Sequence, residues 1–308
     1  MPGSPSTVID WNILWNEISL GNQRALARAI SLLENEYTGN EEFLLKLGTR
    51  PGGMIIGITG PPGAGKSTLA DALIGQWIED GEKVAVICID PSSPFHFGAL
   101  LGDRLRMNQW YKHPAVFIRS LSSRGAIGGL NPRIIEISDL LRAAHYDKIL
   151  IETVGVGQNE VDIAGLAETT IVVLVPGSGD DVQAMKSGIL EVADIFVINK
   201  SDTPQADDLG RYILASRLKE DQDGEQSPVI VKTVATTKQG ITELANQIKL
   251  HREQFSHSSQ RIDLLTEKAF RLILQKKMSQ VDKQKLKERI IKEESGGEFN
   301  LYEFVSAY

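Results

Sequence analysis

From about residue 54 onward, short runs rich in β-branched and apolar residues recur at intervals that leave room for a helix between them. The runs are 54–59, 83–89, 115–119, 148–151, 170–175, 194–198 and 228–233. Several are apolar on both faces; Ile171-Val172-Val173-Leu174-Val175 is the plainest case. A strand buried on both sides belongs to a parallel sheet sandwiched between helices. The alternation therefore predicts an α/β domain with a mostly parallel, doubly wound sheet. The flanks read differently. Ala25, Ala27, Ala29, Ile30, Leu32 and Leu33 sit among strong helix formers, with Gly39 as a stop. Beyond about 260 the chain is poor in strand formers, and 262–278 and 281–294 read as two helices broken near Gly296-Gly297. The expected organisation is a helical extension over 1–50, an α/β domain over 51–255 and a C-terminal helical arm over 256–308.

Between the first run and a predicted helix at 67–78 stands Gly60-Pro61-Pro62-Gly63-Ala64-Gly65-Lys66-Ser67, followed by Thr68. This matches the phosphate-binding P-loop pattern in the strand–loop–helix context that the pattern needs. Glycines let the backbone wrap a phosphate and turn successive N–H groups inward. The helix N-terminus adds positive potential. Lys66 supplies a charge to the β- and γ-oxygens, and the Ser67 hydroxyl is a Mg²⁺ ligand.

The run at 194–198 ends in Asn199-Lys200-Ser201-Asp202. Guanine presents two adjacent donors, and the Asp202 carboxylate can accept both; adenine offers no such pair. Asn199 would bond the base edge or brace the loop, with the Lys200 stem against the base plane. Ala235 and Thr236 fall where a backbone N–H would meet the guanine O6. GTP or GDP is the nucleotide this pattern favours. Acidic residues close or follow other runs. Asp90 and Glu152 end two of them, and Asp103 lies in a following loop. Ligands of doubly wound sheets sit beyond the carboxyl ends of the strands, so Ser67, Asp90, Asp103 and Glu152 are the expected metal set. Gly155 would give its N–H to the γ-phosphate, placing Lys66, Asp103, Glu152 and Gly155 in the catalytic machinery. Val156 stands where a water-orienting glutamine would follow that glycine, with Gln158 two residues on. Slow intrinsic hydrolysis, stimulated by a partner, is the expectation.

Composition narrows the setting. The net charge of −7 and the lack of a long Lys/Arg block argue against nucleic acid or an anionic membrane as partner. No run approaches the roughly 20 apolar residues of a membrane span. Cys88 is the single cysteine, which excludes an intrachain disulfide and fits a reducing, cytoplasmic compartment. It reads as a small buried hydrophobe within its strand. His96, His113 and His145 lack Cys or His neighbours at metal-ligand spacing and read as loop or surface positions. The four tryptophans read as packing residues.

Several strings occur together: Arg24–Glu34, Asp90-Pro91-Ser92-Ser93-Pro94, Leu101-Gly102-Asp103-Arg104, Ser122-Ser123-Arg124-Gly125, Glu152-Thr153-Val154-Gly155-Val156-Gly157-Gln158 and Pro176-Gly177-Ser178-Gly179-Asp180-Asp181. With them the chain resembles the MeaB/ArgK (MMAA-like) P-loop GTPases over about residues 20–305. That resemblance implies a Mg²⁺-dependent homodimeric GTPase. It would gate cofactor loading of an adenosylcobalamin-dependent acyl-CoA mutase, such as methylmalonyl-CoA mutase, and protect that enzyme. It also implies that Asp180, Asp181 and Lys186 form a further switch and that the C-terminal arm mediates dimerisation. Two other readings stay open at this level: a kinase that passes the γ-phosphate to a small molecule or transport protein, and an interaction module with negligible turnover.

Overall fold

The computed structural model describes residues 9–47, 52–90, 107–123, 130–153, 159–177, 188–220, 228–279, 281–295 and 299–306. The chain divides into two compact units, Met1–Arg261 and Ile262–Tyr308.

The first unit is built on a seven-stranded sheet in the order β3-β2-β4-β1-β5-β6-β7. Its strands are β1 (Met54–Thr59), β2 (Val84–Asp90), β3 (Val116–Ser122), β4 (Lys148–Glu152), β5 (Thr169–Leu174), β6 (Ile195–Ile198) and β7 (Val229–Lys232). Every neighbouring pair is parallel. All seven runs expected from the sequence became strands. The largest boundary difference is in β3, which runs on to Ser122 instead of stopping at Arg119. The reason lies in its neighbour: β2 continues to offer partners, with Cys88 opposite Ser120, Ile89 opposite Leu121 and Asp90 opposite Ser122. Register with an adjacent strand thus overrides the weak strand preference of serine.

The five inner strands β1, β2, β4, β5 and β6 are buried at every position, as a doubly covered parallel sheet requires. On one face, α4 (Lys66–Glu79) and α8 (Ile241–Phe255) bury Leu69, Leu73, Trp77, Leu244 and Ile248 against Ile56, Ile58, Val86, Leu150 and Val173. On the other face, α7 (Gln205–Glu220) sets Leu209 and Ile213 on Val172, Leu174, Phe196 and Ile198. Helix α5 (Ile134–Ala143) and the short α6 (Asn159–Asp162) lie between these elements in sequence.

The 8–50 stretch is three helices: α1 (Trp11–Ser19), α2 (Gln23–Glu34) and α3 (Asn40–Leu47). Helix α2 ends at Glu34, and Gly39 stands before α3 rather than stopping its predecessor. Trp11 stacks on Phe43 with ring centroids 4.6 Å apart, locking α1 to α3. Helix α2 runs beside the edge strand β3. The Gln23 side-chain amide donates to the carbonyls of Pro114 and Val116 at 3.2 and 3.0 Å. The Arg119 guanidinium reaches from β3 to the Ala27 carbonyl, the Ser31 hydroxyl and the Glu34 carboxylate at 2.9–3.0 Å. Near this seam the Tyr146 phenol has its pKa pushed up to about 12, chiefly by burial.

The second unit holds most of α9 (Gln260–Met278), then α10 (Lys283–Glu294) and α11 (Leu301–Ser306). Asp282 caps α10 by accepting from the N–H groups of Gln284 and Lys285. Arg289 lies over the ring of Phe304 at 5.1 Å. Phe270, Ile273, Leu274 and Met278 of α9 are all exposed. Among the described residues no helix is long and apolar enough to cross a membrane.

Candidate functional site

Strand order reverses around β1, whose carboxyl end leads into α4, and in doubly wound sheets a ligand lies beyond the strand carboxyl ends at such a point. Helix α4 begins without a side-chain cap, as α8 also does after Gly240. Asp10, Asn22 and Asp282 cap α1, α2 and α10 with side-chain acceptors, whereas the N-cap of α4 is Gly65, in the left-handed region with no side-chain acceptor. Gly60-Pro61-Pro62-Gly63-Ala64-Gly65 therefore leads into a helix whose first N–H groups are left to an incoming anion. The buried Lys66 amine donates to the Gly60 carbonyl at 2.8 Å and the Pro61 carbonyl at 3.1 Å, which holds it across the loop. Thr68 follows on the first turn, half-buried.

The Ser67 hydroxyl donates to Glu152 Oε1 at 2.6 Å. Glu152 ends β4 opposite Cys88 of β2, and Asp90 lies two positions beyond Cys88. With a side-chain period of two, both carboxylates project from the face that carries α4. Asp90 is 3% exposed and Glu152 4% exposed. Glu152 against the Ser67 hydroxyl, with the buried Asp90 on the same face, offers hard oxygen donors at a phosphate-binding loop, which fits Mg²⁺. Among the described residues no group of three His, Cys, Asp or Glu side chains is placed to hold a metal by itself.

Asn199 ties the phosphate loop to the chain that follows β7. Its amide Nδ2 donates to the Ala64 carbonyl at 2.9 Å, and its Oδ1 accepts from the Ala235 N–H and the Thr233 hydroxyl, both at 3.1 Å. Of the two roles open to Asn199, the structure shows loop bracing. Gly65 makes room for it: a Cβ there would come within 2.3 Å of Asn199 Nδ2. Lys200 adopts a left-handed backbone, φ 53°, and its amine donates to the Gly63 carbonyl at 3.0 Å. The Ser201 N–H donates to the Thr233 carbonyl at 3.1 Å, fixing the loop that presents the exposed Asp202. Ala235 is buried and Thr236 exposed in the adjacent one-turn helix Ala235–Thr237.

A family model described as "Methylmalonyl Co-A mutase-associated GTPase MeaB" matches residues 26–290. The chain belongs to the MeaB family of GTPases. A protein of Pyrococcus abyssi is 50% identical over 244 residues, covering 77% of this chain and 75% of the relative. GTPase ArgK of Escherichia coli is 38% identical over 237 residues, covering 74% and 72%. The mitochondrial methylmalonic aciduria type A homolog of Mus musculus is 32% identical over 266 residues, covering 80% and 64%. Among solved structures, one described as an LAO/AO transport system kinase superposes with a TM-score of 0.65 at 25% identity, covering 100% of this chain and 98% of its own.

As a MeaB-family member the protein is a GTP hydrolase with the α/β P-loop fold. The structure brings Gly60–Thr68, Asp90, Glu152, Asn199, Lys200, Asp202, Ala235 and Thr236 to one end of the sheet. Asp103 and Gly155 lie outside the described residues, as do Gln158, Asp180, Asp181, Lys186 and His96. Cys88 is buried in β2 as expected. His145 is exposed, and His113 is half-buried with its ring edge-on to Trp110. The sequence reading passed over His251. Its Nδ1 lies 2.7 Å from the Thr169 hydroxyl and its Nε2 3.4 Å from Asp194 Oδ1. This trio sits at the amino ends of β5 and β6, at the opposite end of the sheet from the phosphate loop. A lone histidine in a helical stretch carries no spacing signal that could have marked it.

Asn199→Ala is expected to lower stability without nucleotide by about 2 kcal/mol or more, since the Ala64 carbonyl and Ala235 N–H lose a buried partner. Urea unfolding of both proteins measures this; coincident curves would contradict the bridging role.

Proposed function

We propose that this GTPase hydrolyses GTP with Mg²⁺ and uses its nucleotide state to gate cofactor loading of an adenosylcobalamin-dependent acyl-CoA mutase and to protect that enzyme. The observation that carries the site assignment is the Ser67–Glu152 contact of 2.6 Å at the mouth of the phosphate loop, with Asp90 on the same face. Ser67, Asp90 and Glu152, together with Asp103, would hold the metal directly or through water; bound there, Mg²⁺ neutralises charge that builds on the phosphate oxygens. Lys66 grips the β- and γ-phosphates, and the backbone of Gly60–Ser67 supplies N–H donors. Gly155 donates its N–H to the γ-phosphate. Asp202 reads guanine, Lys200 lies on the base, and Ala235 and Thr236 close its O6 side. The mutase as partner is supported by the family model's own description. A homodimer, assembled through the C-terminal arm, is supported by the exposed apolar side chains of α9. The protein acts in the cytoplasm, without nucleic acid or membrane as partner.

The test mixes the purified chain with methylmalonyl-CoA mutase and adenosylcobalamin under GTP, GDP or a non-hydrolysable GTP analogue. Intrinsic turnover is expected below about 1 s⁻¹ and should rise when the mutase is added. Cofactor loading should differ between the GTP and analogue arms. A mutase that neither binds the chain nor changes its loading with nucleotide would overturn the proposal.

A further inference from the structure

Strand β3 stands at one end of the strand order, and its inward groups pair with β2 as far as the end of both strands. Asp90 lies opposite Ser122, and the Ser123 N–H donates to the Asp90 carbonyl at 3.2 Å. The outward carbonyls of β3 are held by side chains. At the amino end, the Gln23 amide of α2 donates to the Pro114 and Val116 carbonyls. At the carboxyl end, the Ser122 carbonyl accepts from Asn131 Nδ2 at 2.8 Å. Asn131 is 2% exposed, and its own position is fixed from two sides. Its Oδ1 accepts from the Arg133 N–H at 2.9 Å, where α5 begins, and its Nδ2 lies 3.4 Å from Glu34 Oε1, where α2 ends. The other Glu34 oxygen is paired with Arg119 at 2.9 Å, and Arg133 bridges Glu36 and Glu136, each at 2.8 Å. Gln23 and Asn131 thus fasten opposite ends of one strand, but only the Asn131 end adjoins Asp90.

We propose that Asn131 is a positioning residue for the metal: by fixing the Ser122 carbonyl it keeps the end of β3 paired with Asp90, and so keeps the Asp90 carboxylate aligned with Glu152 and Ser67. The inference rests on the assignment of Asp90 to the metal set given above. Asn131 acts through the backbone and is not itself a ligand. Strand ends are where local opening begins, and an edge strand has a ladder on one side only. Without the Asn131 donor, the buried Ser122 carbonyl regains a partner by turning to water. That turn draws Ser123 away from the Asp90 carbonyl and frees the backbone that carries the carboxylate. Groups that orient a metal ligand matter in this way: removing one costs about 10–100-fold in metal affinity although the ligand itself is unchanged.

The experiment compares the full-length chain with Asn131→Ala, Asn131→Asp, Gln23→Ala and Asp90→Asn. Two quantities are measured: amide hydrogen exchange at Ser123 in the chain free of nucleotide and metal, and affinity for a non-hydrolysable GTP analogue as Mg²⁺ is raised from none, in EDTA, to saturation. Asn131→Ala is expected to speed exchange at Ser123 by about tenfold. It should also raise the Mg²⁺ concentration for half-maximal tightening by roughly tenfold, with affinity in EDTA within about twofold of the parent. Asn131→Asp keeps the shape and the acceptor for the Arg133 N–H but removes the donor, and should move both readings the same way; it carries the test where Asn131→Ala does not fold. Gln23→Ala loosens the amino end of β3 and should leave the Mg²⁺ requirement alone. An unchanged requirement in the Asn131 variants would overturn the proposal. So would an equal shift in Gln23→Ala, or a matching loss of affinity in EDTA, since either would mean general loosening. Asp90→Asn separates the two assignments. A raised Mg²⁺ requirement with Asp90→Asn but not with the Asn131 variants sinks the Asn131 role alone; an unchanged requirement with Asp90→Asn sinks the metal assignment of Asp90 and this inference with it.

Discussion

Lys66→Ala is expected to weaken GTP and GDP binding by at least about thirtyfold while the sheet stays folded. The amine is buried at the start of α4 and is held by the carbonyls of Gly60 and Pro61, so its side chain is already ordered before phosphate arrives. Little entropy is then lost on binding. Truncating one partner of a buried charge pair costs about 2–5 kcal/mol, and each 1.4 kcal/mol is a factor of about ten in affinity. Alanine at the first position of a helix is well tolerated, and the hydrophobic cluster beneath α4 does not involve the amine. Titration calorimetry with each nucleotide, paired with a thermal melt, provides the measurement. Retained affinity for both nucleotides would remove the lysine from the site.

The second large effect concerns the base. Asp202→Asn should lower GTP affinity by about a hundredfold and raise that for xanthosine triphosphate. An ionised carboxylate accepts from the two adjacent guanine donors, and bonds to charged groups contribute about 1.5–3 kcal/mol each. An asparagine turns one acceptor into a donor, which matches the carbonyl that xanthine carries in place of the amino group. Asp202 is exposed at the rim of its loop, so the substitution leaves the core alone. The loop is anchored by other groups, Asn199 to the phosphate loop and Ser201 to Thr233, and keeps its shape. Competition between the two nucleotides for the variant decides the matter; an unchanged preference for GTP would refute the assignment.

The elements that sequence made legible share one property: their signal is local. Residues 60–67 announce a phosphate loop because each glycine answers to a backbone requirement within eight residues. The apolar runs announce a parallel sheet because burial on both faces leaves no polar alternation. The missing parts depend on distant partners. Nothing near Gln23 says that it reaches the Pro114 and Val116 carbonyls, nor anything near Arg119 that it reaches α2. Trp110 was legible as a packing residue, but its N–H partner Asp71 lies 39 residues earlier on another element. Asn199 could be assigned to base or brace only once Ala64 was seen 2.9 Å away. The end of β3 was set by β2, not by its own serines.

The seam between α2 and β3 has a practical consequence. A parallel sheet ends in strands whose outward N–H and C=O groups can recruit another chain, and here the Gln23 amide and the flank of α2 occupy that side of β3. Trimming the polypeptide to its nucleotide-binding core by removing the first 50 residues would strip that cover. The shortened protein would keep its P-loop yet carry a sticky border, inviting edge-to-edge polymerisation and insoluble expression. The three leading helices are thus a solubility device for the sheet as well as an appendage to it.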